Sequence, residues 1–118
     1  IDAGKDEDWL EKIESLEYLD ISDKELFLNY SGACRPNSTD TDEYLERFLA
    51  YLFYRHVTEA EDGEDFCSRL SFSLFCERLL ASLICARGAK TLNEVAALAR
   101  IISEEIEYSD DNTLSLMY

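Results

Sequence analysis

Four cysteines, one histidine and a polar stripe on an apolar helix are the side chains of this sequence whose types could do chemistry. Cys34, Cys67, Cys76 and Cys85 invite a disulfide or a zinc reading. The last three stand nine residues apart in what reads as one helix. Nine steps of ~100° put Cys67 and Cys76 on opposite faces, and Cys67 and Cys85 lie roughly 27 Å apart along the axis. A disulfide needs Cα atoms within ~7 Å, so no pair inside this helix can bridge. There is no CxxC, and His56 alone leaves few ligands for zinc. The expectation is buried free thiols acting as small apolar side chains, and hence a reducing compartment, the cytoplasm. Cys34, in a loop beside Arg35, is the thiol that a neighbouring cation could activate. His56 falls at a helix end, where a protonated ring suits the C-terminal dipole. Arg69, Ser73 and Glu77 recur at i, i+4 and read as a thin solvent-facing seam. No nucleophile–base set and no glycine-rich phosphate or adenosine loop is present.

The elements that must position these groups come from the apolar pattern. A chain of 118 residues predicts one domain, and 47% hydrophobic content argues against a disordered acidic tail. Four glycines and one proline leave little room for the turns of an all-β fold. The expected architecture is all-α, a bundle of about five helices with a buried central helix, spanning 1–118 as a single helical domain. Helix one covers about 6–19, with Trp9, Leu10, Ile13, Leu16 and Leu19 at helical spacing. A short helix at about 23–30 follows, with Ser22 and Glu25 as a capping box. Residues 31–42 form the long loop between this pair and a three-helix core. Helix three, about 42–57 and capped by Thr41, has a wide apolar arc that calls for two packing neighbours. After an acidic turn at 58–65, helix four at about 64–87 is apolar nearly all round from Phe66 to Ala86, with Gly88 as its stop. Helix five, about 92–108, opens on the capping box Thr91/Glu94. Its core stripe is Leu92, Val95, Leu98, Ala99, Ile102 and Ile106, and its wet face includes Glu104 and Glu107. Projection puts Glu105 inside the apolar arc. The last ten residues, SDDNTLSLMY, simply end the chain.

Charge narrows the partners. Twenty-six Asp/Glu against 11 Lys/Arg give −15, and the cations are spread singly. Such a surface repels phosphate, so nucleic acid and anionic membranes are disfavoured, and a basic protein or peptide is favoured. Glu77 and Arg78 interrupt the longest apolar region, which argues against a membrane span. The chain begins at Ile1, which suggests a processed or trimmed terminus.

Three segments together resemble the C-terminal region of the flagellin lysine-N-methylase family, over about residues 43–114. The first runs from Glu43-Tyr44-Leu45 to Leu52-Phe53-Tyr54-Arg55 and is similar to an aromatic-rich Y-L-x-x-x-L-x-Y-x-L-F-x-R stretch. The second is the long apolar helix at 68–86. The third, S-E-E-I-E-Y-S-D-D-N from Ser103 to Asn112, is similar to the family's S-R-E-I-E-H-S-E-E-N. Glu105, Ile106, Glu107, Ser109 and Asn112 match. Glu104 stands where Arg is usual and Tyr108 where His is usual, which takes the cationic groups out of the motif.

The resemblance implies a parent enzyme that methylates lysine side chains of a flagellin-like substrate with S-adenosylmethionine, carrying a cysteine-rich iron–sulfur module toward its N-terminus. These cysteines lack the close spacing of a cluster, so the chain looks like the C-terminal portion of a longer protein. It would hold neither metal nor cofactor and would be inactive by itself, scaffolding its own N-terminal catalytic module. Methyl transfer needs a neutral amine, prepared by guiding an ammonium into an aromatic-lined channel and removing its proton. Tyr51, Tyr54, Arg55, Glu105 and Tyr108 are the candidate substrate-binding residues on that reading; no catalytic residue is assigned. Beside it stands a structural reading: Glu105 as a carboxylate paired with Arg55 or Arg78 or escaping to a helix edge, and the tyrosines as core residues with bonded hydroxyls. The alternative function is an acidic all-helical interaction or chaperone-like module that binds a basic partner.

Overall fold

The structure, a computed structural model, describes residues 6–30 and 35–118. Among them every regular element is helical: α1 (Asp6–Ser15), α2 (Ile21–Tyr30), α3 (Thr39–His56), a 3-10 turn (Val57–Glu59), α4 (Gly63–Arg87), α5 (Leu92–Ile102), a π-helical turn (Ser103–Glu107) and α6 (Asp110–Met117). The all-α bundle expected from the apolar periodicity is the fold. Readings on Cys34, on the 31–34 part of the loop and on the Trp9 side chain fall outside the described residues.

The ends of α4 are written in its sequence. The Asp62 side chain accepts the Asp65 N–H, satisfying a free donor of the first turn. At the other end Gly88 takes φ 64°, a left-handed conformation without a Cβ penalty. The Ala89 N–H then bonds Ile84 O and the Gly88 N–H bonds Cys85 O, closing the orphan carbonyls. Between these ends α4 packs against α2, α3, α5 and α6. Phe72, Phe75, Leu79, Leu80, Leu83 and Ile84 are almost fully shielded. Full burial begins only at Phe72, however. Phe66 is 45% exposed and Ala86 is exposed, so the wrapped part of the rod is shorter than the apolar run.

The polar stripe on α4 is not the solvent-facing seam its spacing suggests. Ser73 and Glu77 are buried. Arg69 is half-buried; its guanidinium bonds Asp65 at 3.0 Å and His56 O at 3.1 Å. The Ser73 hydroxyl donates to Arg69 O, and Glu77 pairs with Arg35 from the loop before α3. Each polar group found a partner on a packed face, so the stripe could be covered.

Cysteine usage also departs from expectation. Cys67 and Cys76 are free thiols, but Cys67 is exposed, and Cys85 is disulfide-bonded. The all-thiol reading is therefore corrected, and with it the argument for a reducing compartment. No helix among the described residues is long and apolar enough to cross a membrane.

Three boundaries shift. α1 stops at Ser15, and residues 16–20 form a bent connection that leaves Leu19 87% exposed. α2 starts at Ile21, and Asp20, not Ser22, holds its first turn by accepting the Ser22 N–H and hydroxyl. α3 begins at Thr39, so Thr41 is not its cap; its hydroxyl donates back to Ser38 O. Thr91/Glu94 do form the expected capping box of α5.

Candidate functional site

The polar groups of the molecule converge where the chain leaves α5. α5 does not run on to 108. After Ile102 one turn is wound π-fashion, with the Tyr108 N–H reaching Ser103 O at 2.9 Å. The Ser109 side chain then accepts the Asn112 N–H and starts α6, a helix the sequence reading did not anticipate. Ser-x-x-Asn with Asp110 and Asp111 in the first turn is the signal that was there to be read.

Two positions along a helix turn a side chain by roughly 200°, so Glu105 and Glu107 leave the π turn on opposite sides. Both are nonetheless buried, at 3% and 6% exposure. Glu107 faces α3. Its Oε2 lies 2.7 Å from His56 Nε2 and 3.3 Å from Arg55 Nε. Its Oε1 accepts the Ser103 hydroxyl at 2.7 Å, and Tyr51 Oη donates across both oxygens at 3.3 Å. Burial alone would raise this carboxyl; the bonds from His56 and Ser103 and the charge of Arg55 outweigh it and hold it below its ordinary value. Tyr51, beside the same carboxylate, is pushed up by burial and by that negative charge. The Phe72 ring from α4 stands edge-on to His56, 4.9 Å between centroids.

Glu105 faces the other way, toward the α1–α2 connection. Its Oε2 accepts the Leu19 N–H at 2.9 Å. Burial raises its carboxyl above the ordinary value, the Leu19 N–H pulls it down, and Asp23 adds to the rise. Among the described residues no Lys, Arg or His pairs with it. Arg55, one of the two expected partners, goes to Glu107 instead.

Asn112 ties the two sides together. Its Oδ1 accepts the Glu17 N–H at 2.8 Å, and its Nδ2 donates to Glu17 O and Glu105 O at 2.6 and 2.7 Å. It is 1% exposed and spends its amide on backbone from two distant parts of the chain.

The five candidate residues are thus divided. Tyr51 and Arg55 meet at Glu107. Tyr108 is 66% exposed with the Arg55 guanidinium 5.9 Å from its ring centroid. Glu105 lies on the far side of the turn, and Tyr54 is 78% exposed on α3, not a core residue. Glu107, His56 and Asn112 were the residues to look for. Glu107 was assigned to the wet face because projection of one helix cannot see a second neighbour.

Two clefts border these carboxylates. One, of about 570 Å³, is lined by Arg55, His56, Arg69, Glu107, Thr113 and Met117 among others. The other, of about 420 Å³, is lined by Glu17, Tyr18, Leu19, Glu104, Glu105 and Tyr108, with Ser109 at its edge. Chemically they differ. Glu107 has both oxygens occupied and a lowered affinity for protons, so it is a poor base. Glu105 has a raised affinity for protons and borders a cleft with no cation in its lining among the described residues. Neither offers a metal centre: among the described residues no three His, Cys, Asp or Glu side chains could hold an ion together. The glycines Gly63 and Gly88 both serve helix ends rather than a loop that could cradle a phosphate. No family model, no curated protein and no solved structure matches the chain.

Proposed function

We propose that the chain is the helical C-terminal portion of a lysine-N-methylase-like protein and acts there as scaffold, not as the seat of chemistry. The observation that supports this is the use made of the residues that carry the resemblance. Ile106 is wholly buried, Ser109 caps α6, and Glu105, Glu107 and Asn112 are buried and bonded across the fold. A motif spent on joining helices is a motif for shape. Methylation of a flagellin-like lysine, S-adenosylmethionine and the iron–sulfur cluster belong on this reading to the rest of the parent protein. The cysteines here do not fit a cluster, since Cys85 is disulfide-bonded and Cys76 is buried nine residues from Cys67. The disulfide withdraws the thiol argument for the cytoplasm, and the proposal carries no compartment.

The complete gene tests the reading. A closely spaced cysteine run encoded upstream of Ile1 supports it; a start codon within a few residues of Ile1 overturns it. In the same vein, purified residues 1–118 should not methylate flagellin with S-adenosylmethionine, and measurable transfer would contradict the scaffold role.

A second reading, an acidic module that binds a basic protein, draws on the cleft at Glu105. There carboxylates and exposed apolar side chains stand together without a cation among the described lining residues.

A further inference from the structure

The connection between α1 and α2 is a place where apolar surface was left out. Leu19 is 87% exposed and Ile21 68%, within three residues of each other. Across the adjoining cleft stands Tyr108, 66% exposed. These residues do not scatter: Leu19 and Tyr108 line the same concave space of about 420 Å³, together with Tyr18. Large apolar side chains gathered at a concave site mark an interaction surface more often than single exposed ones do.

Among the described residues the rest of the lining is one sign of charge: Glu17, Glu104 and Glu105 line the cleft and no Lys, Arg or His does. Asp20 and Asp23 begin α2 beside it, and the nearest α2 cation, Lys24, is committed to Glu14 at 3.1 Å. Glu105 is buried there with the Leu19 N–H, the Asp20 N–H and the Asp23 carboxyl as its hydrogen-bond partners. No Lys, Arg or His among the described residues pairs with it, and burial together with Asp23 lifts its carboxyl despite the two N–H groups. A cation entering the cleft relieves that strain, and the whole-chain charge of −15 draws cations toward it. Long basic side chains suit both parts of the lining, because their methylene stems lie on apolar surface while the head group meets carboxylates or a tyrosine face.

We propose that this cleft docks a basic amphipathic segment of a partner protein, its Lys or Arg head groups held among Glu17, Glu104 and Glu105 and its apolar side chains laid on Leu19, Ile21 and Tyr108. The proposal deepens the basic-partner reading and rests on it. It does not rest on the methylase reading, because Glu17, Leu19 and Ile21 lie outside the resembling segment.

The test is titration of the 118-residue chain with a fluorescent amphipathic Lys/Leu helical peptide near physiological salt, read by anisotropy. A peptide with Glu in place of Lys is the control. Three exposed positions are varied, with circular dichroism to check that each variant stays helical. Leu19→Ser should weaken binding about tenfold, the worth of one buried aliphatic anchor. Glu104→Lys should weaken it about tenfold as well by setting like charges together. Glu46→Lys changes net charge equally but lines a separate cleft with Arg35 and Asp42, and should weaken binding less than about twofold. Equal loss with Glu46→Lys would leave a basic partner in place and remove this cleft as its site. No binding of the Lys/Leu peptide at all would remove both. Concentration-dependent dimerisation in sedimentation equilibrium, abolished by Leu19→Ser, would assign the surface to a second copy and overturn the proposal.

Discussion

Glu105 and Glu107 are two residues apart, equally hidden from water, and treated in opposite ways by their surroundings. Glu107 is met by His56, Arg55, Tyr51 and Ser103. Glu105 is met by the backbone N–H groups of Leu19 and Asp20 and by another carboxyl, Asp23, with no cation among the described residues. The fold thus neutralises one buried charge from within and leaves the other for something outside the described chain, or for a proton. The difference teaches where to look for use: a satisfied carboxylate reports on architecture, and an unsatisfied one beside a cleft reports on what the cleft receives.

The comparison breaks most easily at Glu107. Glu107→Ala should cost about 4 kcal/mol of unfolding free energy, because it strips the partner from the buried His56 and Arg55 contacts; urea denaturation measures it. A loss under about 1 kcal/mol would mean the cluster holds nothing. Asn112→Ala should cost about 2 to 3 kcal/mol, since it leaves the Glu17 N–H and the carbonyls of Glu17 and Glu105 without their side-chain partner. Glu105→Gln should instead fall within about 1 kcal/mol of the parent, with the amide oxygen keeping the Leu19 N–H and the amide N–H donating to Asp23, while a buried charge without a cation is gone. Equal costs for the Glu105 and Glu107 replacements would erase the distinction drawn between them.

Acid sharpens the same contrast. Glu107 has a lowered carboxyl in the folded chain, so the unfolded chain binds more protons around pH 4. Its contribution is complete above the ordinary glutamate range and is lost as pH falls through the folded value. Glu105 has a raised carboxyl, so there the folded chain binds more protons and stability falls as pH climbs past the ordinary range. The stability gap between parent and Glu107→Gln should therefore shrink on acidification. Between parent and Glu105→Gln, neutral pH should favour the variant more than acid does. Parallel melting curves from pH 3 to 8 measure both, and slopes of the same sign would sink the assignment. Smallest of all, Tyr54→Phe should move stability by less than about 0.5 kcal/mol, because that side chain stands in solvent.

Much of this was legible in the sequence. Period-3.6 apolar spacing gave α1 to α5, Gly88 gave the end of α4, and Thr91/Glu94 gave the start of α5. Glu105 was found inside the apolar arc because one helix, projected alone, is enough to place it. Glu107 needed knowledge that α3 packs on the opposite side of the same turn, which no single-helix projection holds. The π turn hid α6 in a similar way: continuing the α period through 103–108 runs past Ser109, whose cap then looks like a tail. Leu19 was expected in a core stripe because the pattern continues through it, while the backbone leaves the helix after Ser15. The substrate-binding candidates came through resemblance, and the structure distributes them over two sides of one turn.

The amide of Asn112 bonds Glu17 across 95 residues of chain. During synthesis the first helical pair emerges from the ribosome long before the residue that pins it. Until α6 is made, the peptide groups of Glu17 have only water, so an early part of this stretch to be translated is among the last to be fastened. A nascent chain stalled before Asn112 would leave the backbone at Glu17 open to proteases, and folding of α6 would fasten it.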